Sequence, residues 1–378
     1  MFVDFVLNNQ GHGPIGEAIQ SCRFDPGLMR PFVDHRGQKC VYALNARGIR
    51  EKRTIAEMMS QGVHSPVFNA TTLRKDEWQK LDDVVIKAAR KRLRAWSDLA
   101  GANTFGGFNG MSKTILEWEM QNDPGEAFVD MDGLSEGRTD TTLFQLQGMP
   151  LPITHVPFRY SARQLAVSRN SGTPLDTTSA EWAAQRVAEK VEQTVIGTET
   201  GMVYGDSTRY GATSAVYGYT NFPSRNTKTD LTTPTGSNPE AVVQDVLEMR
   251  DQLYADNFFG PFILYHSTAY DIFMDNDYFR TGGTSAHQTL RQRVEAIDGI
   301  SAVRRLDHFS PTSPSVYAMI MVQMTANVAR AIDGMGITTI QWEGKGGMEL
   351  HFKVMCIYAP QLRADYSGQC GILHGTAP

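Results

Sequence analysis

Apolar residues recur at three- and four-residue spacing in several segments of the chain, and this period predicts amphipathic helices. The longest helices are expected at 73–99, 178–200 and 241–254. The second opens on Thr178 with Glu181 three residues later, which is the spacing of a capping box, and a second such box, Ser-Asn-Pro-Glu, precedes the third. Shorter helices are expected in TAYDIFMD and TLRQRVEAIDGI.

Runs of β-branched and aromatic residues between turn segments predict strands elsewhere. Two or three long antiparallel strands are expected over 112–165, where NDPGE and GLSEGRTD mark turns. Further strands are expected in FGPFILYHS, SVYAMIMVQM, ARAIDG, TTIQWEG and GMELHFKVMCIYAP. Because strands and helices are only partly interleaved, the prediction is a mixed α+β fold.

The first 72 residues show neither the helical nor the strand spacing of apolar residues and are rich in glycine and proline, so we expect an extended arm with short elements. Such an arm has little core of its own and needs to lie against this chain or a neighbour. The whole chain of 378 residues is long enough for two or three domains.

The charge and cysteine content of the chain narrow its function classes. A net charge of −5 argues against a protein that is basic overall and binds nucleic acid over its whole surface. The four cysteines form no CxxC pair, so neither a disulfide scaffold nor a zinc ribbon is expected, and a reducing cytoplasm is the default compartment. The sequence has no classical signal peptide and no run of about 18 apolar residues, so we expect a soluble protein.

Motifs of nucleotide-binding and hydrolytic sites do not occur in the sequence, namely GxGxxG after a strand, GxxxxGKS/T, HExxH and GxSxG. Lys345 in GKGG is expected in a tight turn between strands, because no helix pattern follows it. Asp130 and Asp132 in VDMDG lack the later ligands of a calcium loop, so a hairpin turn is expected there.

The best metal candidates by residue type are His351, Cys356, Cys370 and His374. Within the predicted strand, however, His351 and Cys356 have opposite parity and point to opposite faces. A buried thiol and dispersed histidines are therefore expected instead of a zinc site. We predict no catalytic residue, no cofactor and no metal ligand.

A basic cluster lies near the end of the first predicted helix, after an acidic first half, which is the polarity that a helix dipole favours. It consists of Arg90, Lys91, Arg92 and Arg94. The cluster is either a solvated helix face or a surface for an anionic partner.

Four segments, in their order along the chain, resemble the shell proteins that share the fold of the Hong Kong 97 phage capsid, namely tailed-phage major capsid proteins and encapsulins. LRKDEWQKLDDVVIKAARKRL is similar to the encapsulin opening helix, and LPITHVPFRYSARQLAVSRN with the helix after it to an extended-loop return strand and a long spine helix. NPEAVVQDVLEMRDQLYADNFFGPFILYHS resembles a helix and the central strand of the apical domain, and LRQRVEAIDGISAVRRLDHF follows in the expected order. The resemblance covers roughly residues 72–365.

The resemblance implies a succession of parts along the chain. They are an N-terminal arm at 1–72, a peripheral-domain helix at 73–103, an extended β-hairpin loop at 104–160, a peripheral domain with the spine helix at 161–236, an apical domain at 237–340, and peripheral-domain strands with a C-terminal tail at 341–378.

It also implies a function without catalysis: a major capsid protein that self-assembles, as hexamers and pentamers, into the icosahedral head of a tailed double-stranded DNA phage. The implied partners are other copies of the chain, packaged DNA contacted non-specifically by the basic cluster, and portal, scaffolding and decoration proteins, with no membrane. The implied location is the virion capsid, after assembly in the host cytoplasm.

Two alternatives accompany this prediction. The first is an encapsulin shell around a cargo enzyme, although the residues before Leu73 and the ending VMCIYAPQLRADYSGQCGILHG resemble a phage protein more closely. The second is a soluble α+β enzyme whose site the sequence order does not reveal.

Overall fold

The computed structural model describes residues 30, 32–44, 49–54, 56–57, 73, 75–90, 93–121, 131, 144–171, 177–198, 215–235, 238–278, 288–309 and 317–377. The first elements along the chain are β1 (Phe32–Val33), β2 (Lys39–Leu44), β3 (Arg50–Thr54), α1 (Lys75–Arg90), α2 (Arg94–Ala102) and β4 (Thr104–Phe105). After a 3₁₀ turn at Gly110–Ser112 come β5 (Ile115–Gln121), β6 (Phe144–Pro150), β7 (Thr154–Ser161), α3 (Ala162–Ser171) and α4 (Thr178–Ile196). The remaining elements are β8 (Asn226–Lys228), α5 (Pro239–Ala255), β9 (Phe262–Ser267), α6 (Thr268–Met274), α7 (Leu290–Glu295), β10 (Ile300–Leu306), β11 (Ala318–Gln323), β12 (Ala329–Gly344), β13 (Glu349–Leu362) and β14 (Ile372–Thr376).

A four-stranded sheet in the order β4-β12-β13-β7 forms one half of the molecule. Alternate residues of its strands pack against α4, so that Phe352 and Val354 share a core with Val187 and Val191. This alternation is the ordinary consequence of the two-residue period of a strand. The opposite face of the sheet is left for solvent and for the base of the β5–β6 hairpin.

A five-stranded sheet in the order β10-β9-β11-β14-β8 forms the other half. All six residues of its second strand, β9, are buried, because helices cover both faces of the sheet. Ile263 and Tyr265 point into the core that contains α4 and α2, whereas Phe262 and Leu264 point into a second core built with α5, α6 and α7. Two of its strands, β8 and β14, come from outside the expected apical range of 237–340.

The N-terminal strands form a small antiparallel sheet in the order β1-β2-β3 that lies against α1 of the same chain. Phe32 and Cys40 join the main core, and the Arg30 guanidinium lies 4.5 Å from the centre of the Trp78 ring while it pairs with Asp82. Part of the expected arm therefore lies against its own subunit.

The helices predicted from periodicity are present, but their ends differ from the expectations. The segment expected as one helix over 73–99 forms two, α1 and α2, with Leu93 between them. Thr178 is the first residue of α4 and not its cap, and the cap position, Thr177, makes no side-chain cap hydrogen bond. Asn238, and not Ser237, occupies the cap position of α5, but it makes no side-chain cap hydrogen bond, and its Oδ1 accepts from the Thr235 backbone N–H outside the helix.

Candidate assembly surfaces

The β5–β6 hairpin is buried at its base and exposed further out. Its strands pair from Ile115–Pro150 to Gln121–Phe144 as a separate two-stranded sheet. At the base, Leu116 and Met149 pack against the four-stranded sheet. At the distal end Phe144 is 63% exposed, so this part of the hairpin has no core within the described part of its own chain.

Gly110 fixes where the hairpin leaves the sheet. A Cβ at this position would lie 2.8 Å from the Cα of Gly334 in β12, so the two backbones touch where only glycines fit. Beside this contact, Met111 packs on Ile340 and Met355. The base of the hairpin is thus seated on the solvent-side face of the sheet.

The hairpin segment is strongly acidic. Residues 115–150 hold eight Asp and Glu against one Arg, so the remainder of the chain is slightly positive although the total is −5. On β5, Glu117 and Glu119 are exposed on the face that also presents Phe144. This face of the hairpin therefore offers carboxylates beside an exposed aromatic ring.

A basic face lies on the side of the four-stranded sheet that also contacts the hairpin base, beyond that contact. Cross-strand pairing places Arg159 of β7 opposite His351 of β13, which is opposite Trp342 of β12. The Trp342 ring stacks on His351 at a centroid distance of 5.5 Å, and Lys353 Nζ lies 5.4 Å from the centre of the same ring. With Lys345 from the β12–β13 turn, these residues define the basic face.

Glu349 is the carboxylate within the basic face. Its Oε1 lies 2.8 Å from Lys345 Nζ and 3.5 Å from Arg159 Nη1, and its Oε2 lies 3.3 Å from His351 Nε2. The hydrogen bond from Lys345 lowers the pKa of Glu349 below its ordinary value. The cations Arg159, Lys345 and Lys353 therefore share this face with one carboxylate, and the face is net positive.

The inner side of the hairpin borders a cleft of about 190 Å³. Its walls include Trp118, Tyr217, Phe222, Arg363 and Tyr366. The cleft is lined by this chain's own segments and leaves the acidic face of the hairpin pointing away from it.

The structure describes only part of the predicted basic cluster. Arg90 is the last residue of α1, and Lys91 and Arg92 lie outside the described residues. Arg94 opens α2, is exposed, and donates from Nη1 to the Arg305 carbonyl at 3.1 Å. The role of the cluster toward DNA stays a prediction.

The rejected chemical candidates are placed as follows. His351 and Cys356 point to opposite faces of β13, and Lys345 lies in the expected turn between strands. Asp130 and Asp132 lie outside the described residues. Within the described ranges, no three His, Cys, Asp or Glu side chains come together as metal ligands, and no helix is long and apolar enough to cross a membrane.

The chain is similar to several known proteins. The family described as "Family of unknown function (DUF6260)" matches residues 69–375. The type 1 encapsulin shell protein EncA of Myxococcus xanthus (strain DK1622) is 28% identical over 240 residues, which are 62% of this chain and 74% of EncA.

Two solved capsid structures share the fold. The capsid of Myoviridae phage XM1 matches with a TM-score of 0.52 at 10% identity, over 74% of this chain and 90% of that chain. The cyanophage Pam1 capsid matches with a TM-score of 0.50 at 10% identity, over 76% of this chain and 92% of that chain. The predicted α+β class and the resemblance to the Hong Kong 97-type fold are thereby confirmed.

Proposed function

This chain belongs to the DUF6260 family over residues 69–375. From its capsid fold and the surfaces described above, we propose that it is the subunit of a closed icosahedral shell. The observation that carries the proposal is a pair of complementary surfaces, the acidic outer face of the hairpin and the basic face of the four-stranded sheet. The role is structural and needs no catalytic residue.

The acidic hairpin of one subunit lies on the basic face of the next. Opposite charges support this pairing, since the exposed carboxylates of Glu117 and Glu119 would meet the cations of the basic face. The two surfaces differ, so the contact is heterologous, and a heterologous contact repeated around an axis closes into a ring. Rings of five and six such subunits are the pentamers and hexamers of the shell.

Electron microscopy of the purified protein tests the shell directly. We expect closed particles of uniform diameter, tens of nanometres across. A discrete small oligomer in light scattering, without particles, would favour the soluble enzyme and refute the proposal.

Charge reversal tests the contact between hairpin and sheet. Glu117→Lys with Glu119→Lys should lower the yield of particles, and so should Arg159→Glu with Lys345→Glu, because like charges then face each other. An exposed pair is worth about 0.5 kcal/mol, but the loss recurs at every interface. The fourfold variant, with both surfaces reversed, should recover particles.

The matched control is Lys80→Glu, which reverses an exposed charge on α1 away from both surfaces. All variants are first compared with wild type by circular dichroism, so that lost assembly is separated from lost folding. If the fourfold variant assembles no better than the two double variants, the proposed pairing is wrong.

The head of a tailed double-stranded DNA phage is the first candidate for this shell, in keeping with the fold of the XM1 and Pam1 capsids. The basic cluster Arg90, Lys91, Arg92 and Arg94 would contact packaged DNA without sequence preference, and portal, scaffolding and decoration proteins would be further partners. Such a protein is assembled in the host cytoplasm and resides in the virion.

Neutralising the cluster tests this role. Replacing Arg90, Lys91 and Arg92 by glutamine should leave shells intact and release DNA at lower salt, since each phosphate contact contributes about 0.9 to the slope of log affinity against log salt. Arg94→Gln is measured separately, because Arg94 also bonds the Arg305 carbonyl. Unchanged DNA retention in the triple variant would assign the cluster to a solvated helix face.

An encapsulin compartment is the second candidate, and the observation that favours it is the 28% identity with EncA over 240 residues. The content of purified particles separates the two candidates. Particles from the native host that hold nuclease-protected DNA indicate a phage head, whereas particles that hold one folded enzyme indicate an encapsulin.

A further inference from the structure

The cleft beside the base of the hairpin contains two polar groups without partners. The indole N–H of Trp118 is buried and has no hydrogen-bond acceptor among the described residues. Arg363 is half-buried in the same lining and pairs with no carboxylate of the described chain. Burial and the like charge of Arg330 lower the pKa of Arg363. An occupant that suits this cleft therefore supplies a hydrogen-bond acceptor and a negative charge.

Asp365 is the carboxylate in the cleft lining, and it is engaged within its own turn. Its Oδ1 accepts from the Gln369 backbone N–H at 2.6 Å, and its backbone carbonyl accepts from the Gly368 N–H at 3.1 Å. Asp365 makes no ion pair with Arg363 in this arrangement, so the guanidinium stays available to an occupant.

The size and the walls of the cleft fit one aromatic side chain. The rings of Tyr217 and Phe222 meet edge-on at a centroid distance of 6.1 Å, and Trp118 and Tyr366 complete the aromatic lining. A cavity of about 150 Å³ holds benzene, so a cleft of about 190 Å³ has room for one ring, whereas small-molecule sites usually begin at about 300 Å³. The occupant that fits is an aromatic side chain next to a carboxylate, as a peptide presents them.

The sequence of this chain contains such a peptide at 2–5 (FVDF), where two phenylalanines flank Asp4. Residues 1–29 lie outside the described residues, and the arm enters the described structure at Arg30, whose guanidinium lies over the Trp78 ring. The chain between Val6 and Arg30 spans up to about 80 Å when extended. The segment can therefore reach the cleft of its own subunit or that of a neighbour.

We propose that the cleft is the docking site of this N-terminal segment, with the Phe5 ring in the cleft and the Asp4 carboxylate on the Arg363 guanidinium. Opposite charge and the match between ring and cavity size support the assignment. Docking ties the arm to the base of the hairpin, because Trp118 belongs to β5. The contact needs only the segment and the cleft, so the inference does not rest on the proposed shell function.

Disulfide cross-linking of the full chain tests the docking. Cys22 is first replaced by serine, and the other three cysteines are buried. One new cysteine replaces Val6, and the second replaces Ser224 in the cleft lining. The matched control combines Val6→Cys with Gln252→Cys, an exposed position on α5 that does not line the cleft. Under mild oxidation the cleft pair should form its disulfide at least tenfold faster than the control pair, and equal rates overturn the proposal.

Two substitutions in the segment leave the cleft itself unchanged. Phe5→Ser removes the ring and Asp4→Arg reverses the charge that faces Arg363, so each should slow the cross-link at least tenfold. Adding Arg363→Glu to Asp4→Arg should restore the rate. Unchanged rates in both segment variants refute the docking. If the protein with Arg363→Glu does not fold by circular dichroism, the two segment variants decide alone.

The competing occupant is the hairpin segment, which repeats Phe-Val-Asp at 128–130. In that arm of the experiment the cysteine replaces Met131, which is 98% exposed, again together with Ser224→Cys. A disulfide that forms faster from position 131 than from position 6 assigns the cleft to the hairpin and overturns the proposal. A non-reducing gel shows whether the cross-link from position 6 lies within one chain or joins two, and either result supports the docking.

Discussion

Replacing Gly218 by alanine should disrupt the end of the spine helix. A Cβ at this position would lie 2.3 Å from the Gly197 nitrogen and 2.4 Å from the Thr194 carbonyl oxygen, both of which are backbone atoms that cannot swing away. Gly197 itself has a φ of 92° and ends the helix in the left-handed region. The two glycines therefore meet at a point where neither segment of the chain has room for a side chain.

The contact matters because the residues after Gly218 complete the helix. The N–H of Tyr219 donates to the Val195 carbonyl at 3.0 Å, and the N–H of Thr220 donates to the Ile196 carbonyl at 2.8 Å. Moving the segment away strains the core by roughly 2 kcal/mol and breaks two backbone hydrogen bonds worth about 1 kcal/mol each. The expected loss in the free energy of unfolding is about 4 kcal/mol.

Urea unfolding followed by circular dichroism measures this loss. The matched control is Gly101→Ala, because Gly101 lies in α2 with an ordinary helical backbone, and no atom lies within 4 Å of the position that an added Cβ would take. That change should be neutral or stabilise by a few tenths of a kcal/mol. A Gly218→Ala protein within about 1 kcal/mol of wild type would refute the argument that this close approach holds the helix end.

Three further predictions concern the arm, the hairpin and the thiols. Arg30→Ala should cost about 1 kcal/mol in urea unfolding, because the guanidinium loses the Trp78 ring and its partly exposed partner Asp82, and an unchanged midpoint would contradict this. Gly110→Ala should destabilise the packing of the hairpin base by roughly 2 kcal/mol, because the added Cβ would meet the Gly334 backbone. Limited proteolysis within 115–150 should then be faster than in wild type, and equal cleavage rates would refute the contact. The three described cysteines are buried, and burial raises their thiol pKa values, to about 12 for two of them. With the remaining cysteine replaced by serine, a thiol reagent at pH 8 should react only after unfolding, and fast reaction of the native protein would contradict the burial.

The spacing of apolar residues predicted the buried side correctly for elements that pack against one continuous core. In α4 the apolar residues Ala184, Val187, Val191 and Val195 follow the three- and four-residue spacing that predicted the helix, and all four are buried in the structure. The same holds for β13, where parity alone separated His351 from Cys356. In these elements the spacing of apolar residues along the chain follows from one side of the helix or strand being buried and the other being open.

The surfaces proposed for assembly were only partly visible in the sequence. The acidity of the hairpin can be counted along 115–150, but the basic face cannot, because Arg159, Trp342 and His351 come together only through the pairing of β7, β13 and β12. Strand order and register decide which distant side chains become neighbours, and neither can be read from the local pattern of apolar and polar residues.

The amino-acid sequence by itself determined the α+β class, the long spine helix, the strand faces and, through the order of four segments, the capsid fold. Only the tertiary structure decided that the helix predicted over 73–99 breaks at Leu93. The apolar pattern continues through Trp96 and Leu99, so nothing local ends the helix. The start of α2 is instead stabilised by the buried carboxylate of Glu192, and a cap provided from 97 residues away exists only once both helices are packed.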